Sequence, residues 1–533
     1  MRRVVLGALA ALLLGLAVGV PVALASFQSS ERELAIGPHQ ATVRPAFDGQ
    51  ATIDFGPLLP LVRLPVDAPG GIGVDIRLGE AQVASIEELV QQDAVIASQP
   101  QGEIAAVRAE VMDMATVAAA RGLGTTLIVT VVAAAVWRGL GPMRRRRLMH
   151  DAMHPGRRQV VGGVAVASCV VLGIVLIVVP PPDGEAPQTR WVPARDVFPE
   201  LPANDVLEAL EISYGSITRG SRALVEGALY LYQDSVDFYG ELVEAAQEAE
   251  VRTPQDDEST ALVVADRHDN IGMDPVARAI ADQAEANLLI NLGDDTSQGD
   301  TWERFSINSL AGEFEEFDRV AVAGNHDSET TIGQLEDAGF VVLEGEPVEV
   351  GGVRFLGESD PRGTTIAGYV GTAEQRDTQL SDQDVALTET ACEADDAGER
   401  VGVVAVHSWA SVKQVAASGC ADLLLSGHLH YQVGPQPIEG EGEVPSTRLT
   451  IGSTGGAVLP IALGSSLRRN AQVSVVTFDA EGVPVGLQVV TFTPSGSVDV
   501  DDYVELPLPE EEAEVADDPD EPDNPEDEEE RAP

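Results

Sequence analysis

The chain holds eight histidines, and five of them stand just past apolar runs within one part of it. "ALVVADRH" ends on Asp266 and His268, and "NLLINLGDD" reaches Asp294. "RVAVAGNHD" ends on Asn325, His326 and Asp327; "VGVVAVHSW" carries His407; "ADLLLSGHLH" carries His428 and His430. Imidazole mixed with carboxylate suits first-row divalent ions such as manganese, iron or zinc rather than calcium or magnesium alone. The donors outnumber what one ion takes, so two ions sharing a bridging carboxylate are the economical arrangement. His428 and His430 are two residues apart. If the strand before them continued, both imidazoles would lie on one face.

Donors this far apart in sequence need a scaffold that gathers them. From Ala261 onward the pattern is strand, loop, helix, repeated. The five apolar runs read as buried strands, while "PVARAIADQAEA" and "TTIGQLEDAG" read as helices. Such alternation predicts a layered α/β domain, whose ligands belong outside the carboxyl ends of its strands. Residues 446–492 are strand-rich. The stretch 221–251 has apolar residues at helical spacing and its Tyr and Phe stripe reads as packing.

The ordered set D-x-H, G-D, G-N-H-D, H and G-H-x-H over residues 260–480 resembles the calcineurin-like metallophosphoesterases. The resemblance implies a four-layer α/β/β/α sandwich with two divalent metal ions (Mn, Fe or Zn) and a phosphoester substrate. Carried over position by position, Asp266, His268 and His430 would hold one metal, and Asn325, His407 and His428 the second. Asp294 would bridge them. His326 would be the leaving-group acid, working with a hydroxide shared by the metals. One departure matters: where the family often has G-D-x-x-D, this chain reads "GDDTS", with Ser297 in the last place. The family's aspartate there orients the histidine of the G-N-H motif, and Asp295 or Asp300 are the candidate substitutes.

The rest of the chain concerns location. The formal net charge is −53, a surface that repels nucleic acid backbones, so no nucleic acid binding is expected. Residues 1–26 are apolar after Arg2 and Arg3, and read as a signal peptide or a first transmembrane helix. Residues 27–120 read as an extracytoplasmic β-rich module with a helical stalk. Transmembrane helices are expected at 122–142 and 159–180, flanking a basic cytoplasmic loop at 143–158 that holds Arg144 to Arg147. This places a multi-pass protein in the lipid bilayer of the cell membrane, with its catalytic domain outside. That domain is expected over 190–495, followed by an acidic disordered tail over 496–533. Outside the cell a Cys392–Cys420 disulfide is permitted, and two buried thiols fit equally well.

The function expected is therefore a membrane-anchored, dinuclear metal-dependent hydrolase of phosphate mono- or diesters. The alternatives are a lipid-linked pyrophosphate hydrolase, because the spans hold the site near lipid, and a metal-binding scaffold without activity.

Overall fold

The computed structural model describes residues 2–37, 39–56, 59–66, 71–81, 101–153, 190–199, 201, 208–214, 219–365, 368–442, 444–456 and 466–507. The expected span at 159–180 lies outside the described residues.

Among the described residues, two helices are long and apolar enough to cross a bilayer, over Ala8–Gln28 and Glu103–Gly139. The first belongs to a helix running Arg2–Gln28, unbroken through Ala23–Ala25. The second belongs to the 39-residue helix Gln101–Gly139, roughly 58 Å long at the α-helical rise. They lie antiparallel. Gly15 and Gly19 face Thr126 and Thr130, and Gly122 faces Ala23, so closely that any larger side chain would collide. Beyond the apolar part, Val107 and Met114 of the long helix pack with Phe27, Val43 and Ile76 into the core of a small sheet.

That sheet contains β1 (Arg32–Ile36), β2 (His39–Ala46), β3 (Gln50–Asp54), β4 (Val62–Pro65) and β5 (Gly73–Ala81). It is completed from further down the chain by β6 (Trp191–Pro193) and β7 (Glu211–Ser213), in the order β1-β2-β5-β3-β4-β7-β6. Val62 pairs with Ile212, and Arg63 reaches both Glu211 and the face of Trp191. Trp191–Pro193 and Glu211–Ser213 thus belong to the sheet begun by the N-terminal strands.

The C-terminal part is a sandwich of two sheets. One contains β8 (Ser259–Val264), β9 (Leu288–Asn291), β10 (Asp318–Ala321) and β11 (Val341–Val342), all parallel. β20 (Ala471–Phe478), β21 (Pro484–Phe492) and β22 (Val498–Val500) extend it antiparallel from β8. The other runs β12 (Val348–Val350), β13 (Val353–Glu358), β16 (Val401–Val406), β17 (Ala421–Ser426), β19 (Ser446–Thr450), β18 (Val433–Ile438). A hairpin of β14 (Thr364–Thr365) and β15 (Gly368–Tyr369) stands apart. Ile290 and Val320 of the first sheet meet Phe355, Val403 and Leu423 of the second across one apolar core.

Helices cover both outer faces. Leu242, Met273, Ile280, Leu310 and Leu335 pack on the first sheet; Leu387, Ala391 and Val415 pack on the second. With both faces covered, β9 and β16 are buried along their whole lengths. This is why they read as continuous apolar runs rather than alternating ones.

Cys392 and Cys420 form a disulfide, with Cα atoms 5.0 Å apart. The basic segment is helical where it is described, over Pro142–Met153, with Arg145 capping the preceding helix at the carbonyls of Arg138 and Leu140. One expectation needs correction: the expected disordered tail begins too early. β22 and β23 (Val504–Glu505) both pair with β21. Val498, Val500 and Leu506 supply enough apolar surface to hold that segment, and Leu506 is buried. Residues 508–533 lie outside the described residues.

Candidate metal centre

The donors leave the carboxyl ends of five parallel strands, three from one sheet and two from the other. Asp266 and His268 follow β8, Asp294 follows β9, Asn325 and His326 follow β10, His407 follows β16, and His428 and His430 follow β17. The structure brings Asp266, His268, Asp294 and His430 into one group, and Asp294, His407 and His428 into another, each with donor atoms within 4.8 Å. Asp294 is common to both. Its Oδ2 lies 3.2 Å from His407 Nε2 and 3.7 Å from His268 Nε2. His430 Nε2 is 3.3 Å from Asp266 Oδ1.

His428 and His430 do not converge by alternation along a strand. β17 stops at Ser426, and His428 and His430 have φ of 71° and 56°. Asp266, His268, Asp269 and Asp294 share this left-handed backbone; outside the site only Glu285 among described non-glycine residues does. Such backbone costs of order 1–3 kcal/mol per residue and persists where surrounding contacts impose it. Here the contacts are loop to loop. Asp266 and His268 donate their N–H groups to the carbonyls of Gly293 and Asp294. The His428 N–H donates to Asp266 Oδ2 at 2.8 Å and the His326 N–H to Asp294 Oδ1 at 2.8 Å. The glycines before these histidines are required by the same contacts: a Cβ on Gly427 would stand 2.6 Å from Asp266 Oδ2, and one on Gly324 would strike Asp294. Asp327 closes the cradle by accepting from the N–H groups of Gly324 and Asp294, both at 2.8 Å.

The electrostatics suit cations. Burial pushes His268 down to about 4 against the pull of Asp294. Burial, then His407, brings His428 down to about 4. Both rings are therefore neutral near pH 7, the form that ligates metal. At His407, burial disfavours charge, but Asp294 outweighs it and raises the ring to about 10. At Asp294, burial opposes ionisation, yet His407 and His268 hold the carboxyl well below its usual range. His268 Nε2 meets His430 Nε2 at 3.1 Å, and His407 Nε2 meets His428 Nδ1 at 3.2 Å. Each contact aims a ring nitrogen from both partners at one place. Asn325 anchors its amide nitrogen on Thr364 Oγ1 at 2.7 Å, leaving a buried Oδ1 with no hydrogen-bond partner. An orphaned oxygen, inward imidazole nitrogens and a shared carboxylate fit two divalent cations. His407 Nδ1–H donates to the Leu292 carbonyl at 2.8 Å, which fixes its Nε2 inward.

His326 stands beside this cluster, its ring 5.1 Å from that of His268. Its Nδ1–H donates to the main-chain carbonyl of Ser297 at 2.8 Å. Neither expected substitute reaches it. Asp295 pairs with the buried guanidinium of Arg267 at 2.7 Å, and Asp300 caps the turn Thr301–Glu303.

Three features were not read from the sequence. Arg362, on the loop after β13, grips buried Asp360 through Nε and Nη2 at 2.9 and 2.6 Å, and its Nη2 lies 3.5 Å from His428 Nε2. No strand leads directly into it; "SDPRG" reads only as a turn. Arg267 is wholly buried and forks onto Asp274 at 2.8 and 2.9 Å. Asp269 and Glu303 are both buried with their carboxyls in contact. Burial, then Asp269, pushes Glu303 well above the usual carboxyl range. The only sequence signal for it is the second acid, Asp269, in "DRHD".

No protein-family model and no curated protein matches the chain. Among solved structures, it is similar to a 5'-nucleotidase precursor from Thermus thermophilus, at 14% identity and TM-score 0.29, over 45% of this chain and 55% of that one. The chain thus spans about half of that protein's length. It is also similar to an archaeal phosphodiesterase, at 13% identity and TM-score 0.25, over 47% of this chain and 99% of that one.

Proposed function

We propose that the chain is a membrane-anchored metallophosphoesterase of the calcineurin-like kind that hydrolyses phosphate mono- or diesters with two divalent metals. The observation that carries this is the Asp294 carboxylate, which belongs to both donor groups. Asp266, His268 and His430 would hold one ion, Asn325, His407 and His428 the other, and Asp294 both. When bound, the ions supply an acidified water as nucleophile and positive charge opposite the phosphate oxygens.

The chain's own groups do the remainder. His326 Nε2–H gives its proton to the leaving-group oxygen as the P–O bond breaks, and the ring becomes neutral while Nδ1–H stays on the Ser297 carbonyl. Arg362, locked by Asp360 at the His428 side, offers its fixed guanidinium to a phosphoryl oxygen. The two apolar helices support anchoring, and the sequence sets Arg2 and Arg3 before the first and Arg138 at the end of the second. That charge pattern matches a cytoplasmic end.

The test is metal analysis of the full chain in detergent, coupled to a panel of aryl and alkyl phosphate mono- and diesters with added manganese. Two metal equivalents and turnover of at least one ester class are expected. Two equivalents with no turnover on any ester would turn the assignment to a scaffold.

A further inference from the structure

The Ser297 carbonyl that receives the His326 ring belongs to a single peptide plane with the Gln298 N–H. A trans peptide is rigid, and its C=O and N–H point in opposite directions. On one side of this plane the carbonyl accepts from His326 Nδ1 at 2.8 Å. On the other side the Gln298 N–H donates to Glu303 Oε1 at 3.0 Å. Glu303 also accepts the Ser297 N–H at 2.9 Å through Oε1 and the Asp300 N–H at 2.6 Å through Oε2.

One buried carboxyl therefore grips three amides of one loop at the place where the resembling family carries an aspartate and this chain carries Ser297. Glu303 is itself fixed, fully buried on the turn Thr301–Glu303 beside Trp302 and Phe305. Burying a carboxyl is costly unless its hydrogen bonds are met; these are met by the loop and by Asp269, which shares the Ser297 N–H at 3.0 Å, while the Gln298 N–H donates to Glu303. Hydrogen bonds in series polarise one another. The grip on the Gln298 N–H both sets the plane's rotation and strengthens the carbonyl as an acceptor.

We infer that Glu303 is the positioning residue for His326, acting through the Ser297–Gln298 peptide in place of a directly bonded carboxylate. This rests on the proposal that His326 is the leaving-group acid, so the test has one arm that needs no turnover. In full-length protein labelled with 15N-histidine, without added metal, the His326 Nδ1–H signal is assigned by its loss in His326→Asn. Glu303→Met, which keeps the volume and removes both acceptors, is expected to shift or abolish that signal. Glu303→Gln keeps the carbonyl oxygen facing the Ser297 and Gln298 N–H groups and is expected to preserve it. In the second arm, manganese-loaded enzyme is assayed on an alkyl phosphate, whose leaving oxygen needs a proton, and on p-nitrophenyl phosphate, which needs little help. Glu303→Met should lower kcat on the alkyl ester by ~10²-fold with KM held, fall far less on the nitrophenyl ester, and be rescued by Glu303→Gln. A parallel loss on both esters, or an unmoved His326 signal, overturns the inference. A signal that depends on Glu303 in a wild type inert on every ester sustains the positioning and overturns the catalytic proposal instead. Should Glu303→Met fail to fold, hydrogen exchange of the wild-type Gln298 amide decides: slow exchange supports the grip and fast exchange refutes it.

Discussion

Asp294 and His326 are tied through the main chain. The His326 N–H donates to Asp294 Oδ1 at 2.8 Å, while Oδ2 of the same carboxylate faces His407 at 3.2 Å. One carboxylate thus stands between the two donor groups and also fixes the strand end that carries the proposed acid. Asp294→Asn should disrupt both. An amide nitrogen cannot replace a carboxylate oxygen toward a hard cation, and a flipped amide would set donor against donor at His326. Activity should fall by more than the ~10–100-fold typical of outer partners, with metal content below that of the wild type. Two retained equivalents with unimpaired turnover would contradict the bridging role.

His326→Ala separates the acid from the ligands. It removes no donor of either group, so metal content should be unchanged. Turnover on alkyl esters should drop ~10²–10⁴-fold, the usual contribution of a general acid. Metal loss in this variant, measured by elemental analysis, would mean that His326 is a ligand.

Much of the site's membership was legible because the physics that buries parallel strands also makes them visible. β9 and β16 are covered on both faces and therefore stand out as apolar runs whose ends are marked. What was hidden depends on backbone paths. The convergence of His428 and His430 comes from left-handed residues after β17, not from strand alternation, and no local propensity announces that. The Ser297 carbonyl is a main-chain group, so a search for a carboxylate partner of His326 could not find it. β6 and β7 join a sheet begun far earlier in the chain, a pairing that such short strands carry too little pattern to signal.

Arg362 provides a test of substrate grip distinct from metal binding. Two of its nitrogens are committed to Asp360, which holds the planar fork still. Arg362→Ala should cost about 10–100-fold in kcat/KM, the value of a charged hydrogen bond, chiefly through KM. Arg362→Lys should not restore it, because an ammonium cannot keep the bidentate grip on Asp360 and reach a phosphate as well. Unchanged KM for both variants would remove Arg362 from the substrate's path.

The Cys392–Cys420 disulfide closes a loop with a sequence separation of 28 residues and ties the helix Ala373–Asp396 to the segment entering β17. Loop-closure entropy gives it about 3–4 kcal/mol. Cys392→Ser should lower the denaturant midpoint accordingly, and reducing agent should lower the wild type equally while leaving the variant unmoved. The donor groups lie at the far side of that strand, so metal content should hold in both. Equal midpoints for oxidised and reduced wild type would show that the bond carries no stability.

The helix pair makes a prediction about the N-terminus. A signal peptide is removed, but the helix Arg2–Gln28 is packed from Ala11 to Ala23 on the helix Gln101–Gly139, with glycines at the closest approach. Small residues of this kind let helices in lipid approach and hold by packing. Ala23, inside the small-residue stretch where a peptidase would cut, is packed against Gly122, and Phe27 is buried in the core of the adjoining sheet. Intact mass of the membrane-extracted protein should therefore include residues 2–25. Gly19→Leu should break the pairing by forcing a branched side chain against Thr126, and expose the N-terminal helix to proteolysis. A mature chain that begins near residue 26, with Gly19→Leu indistinguishable from wild type, would show that the first helix is a leader and that the long helix anchors without it.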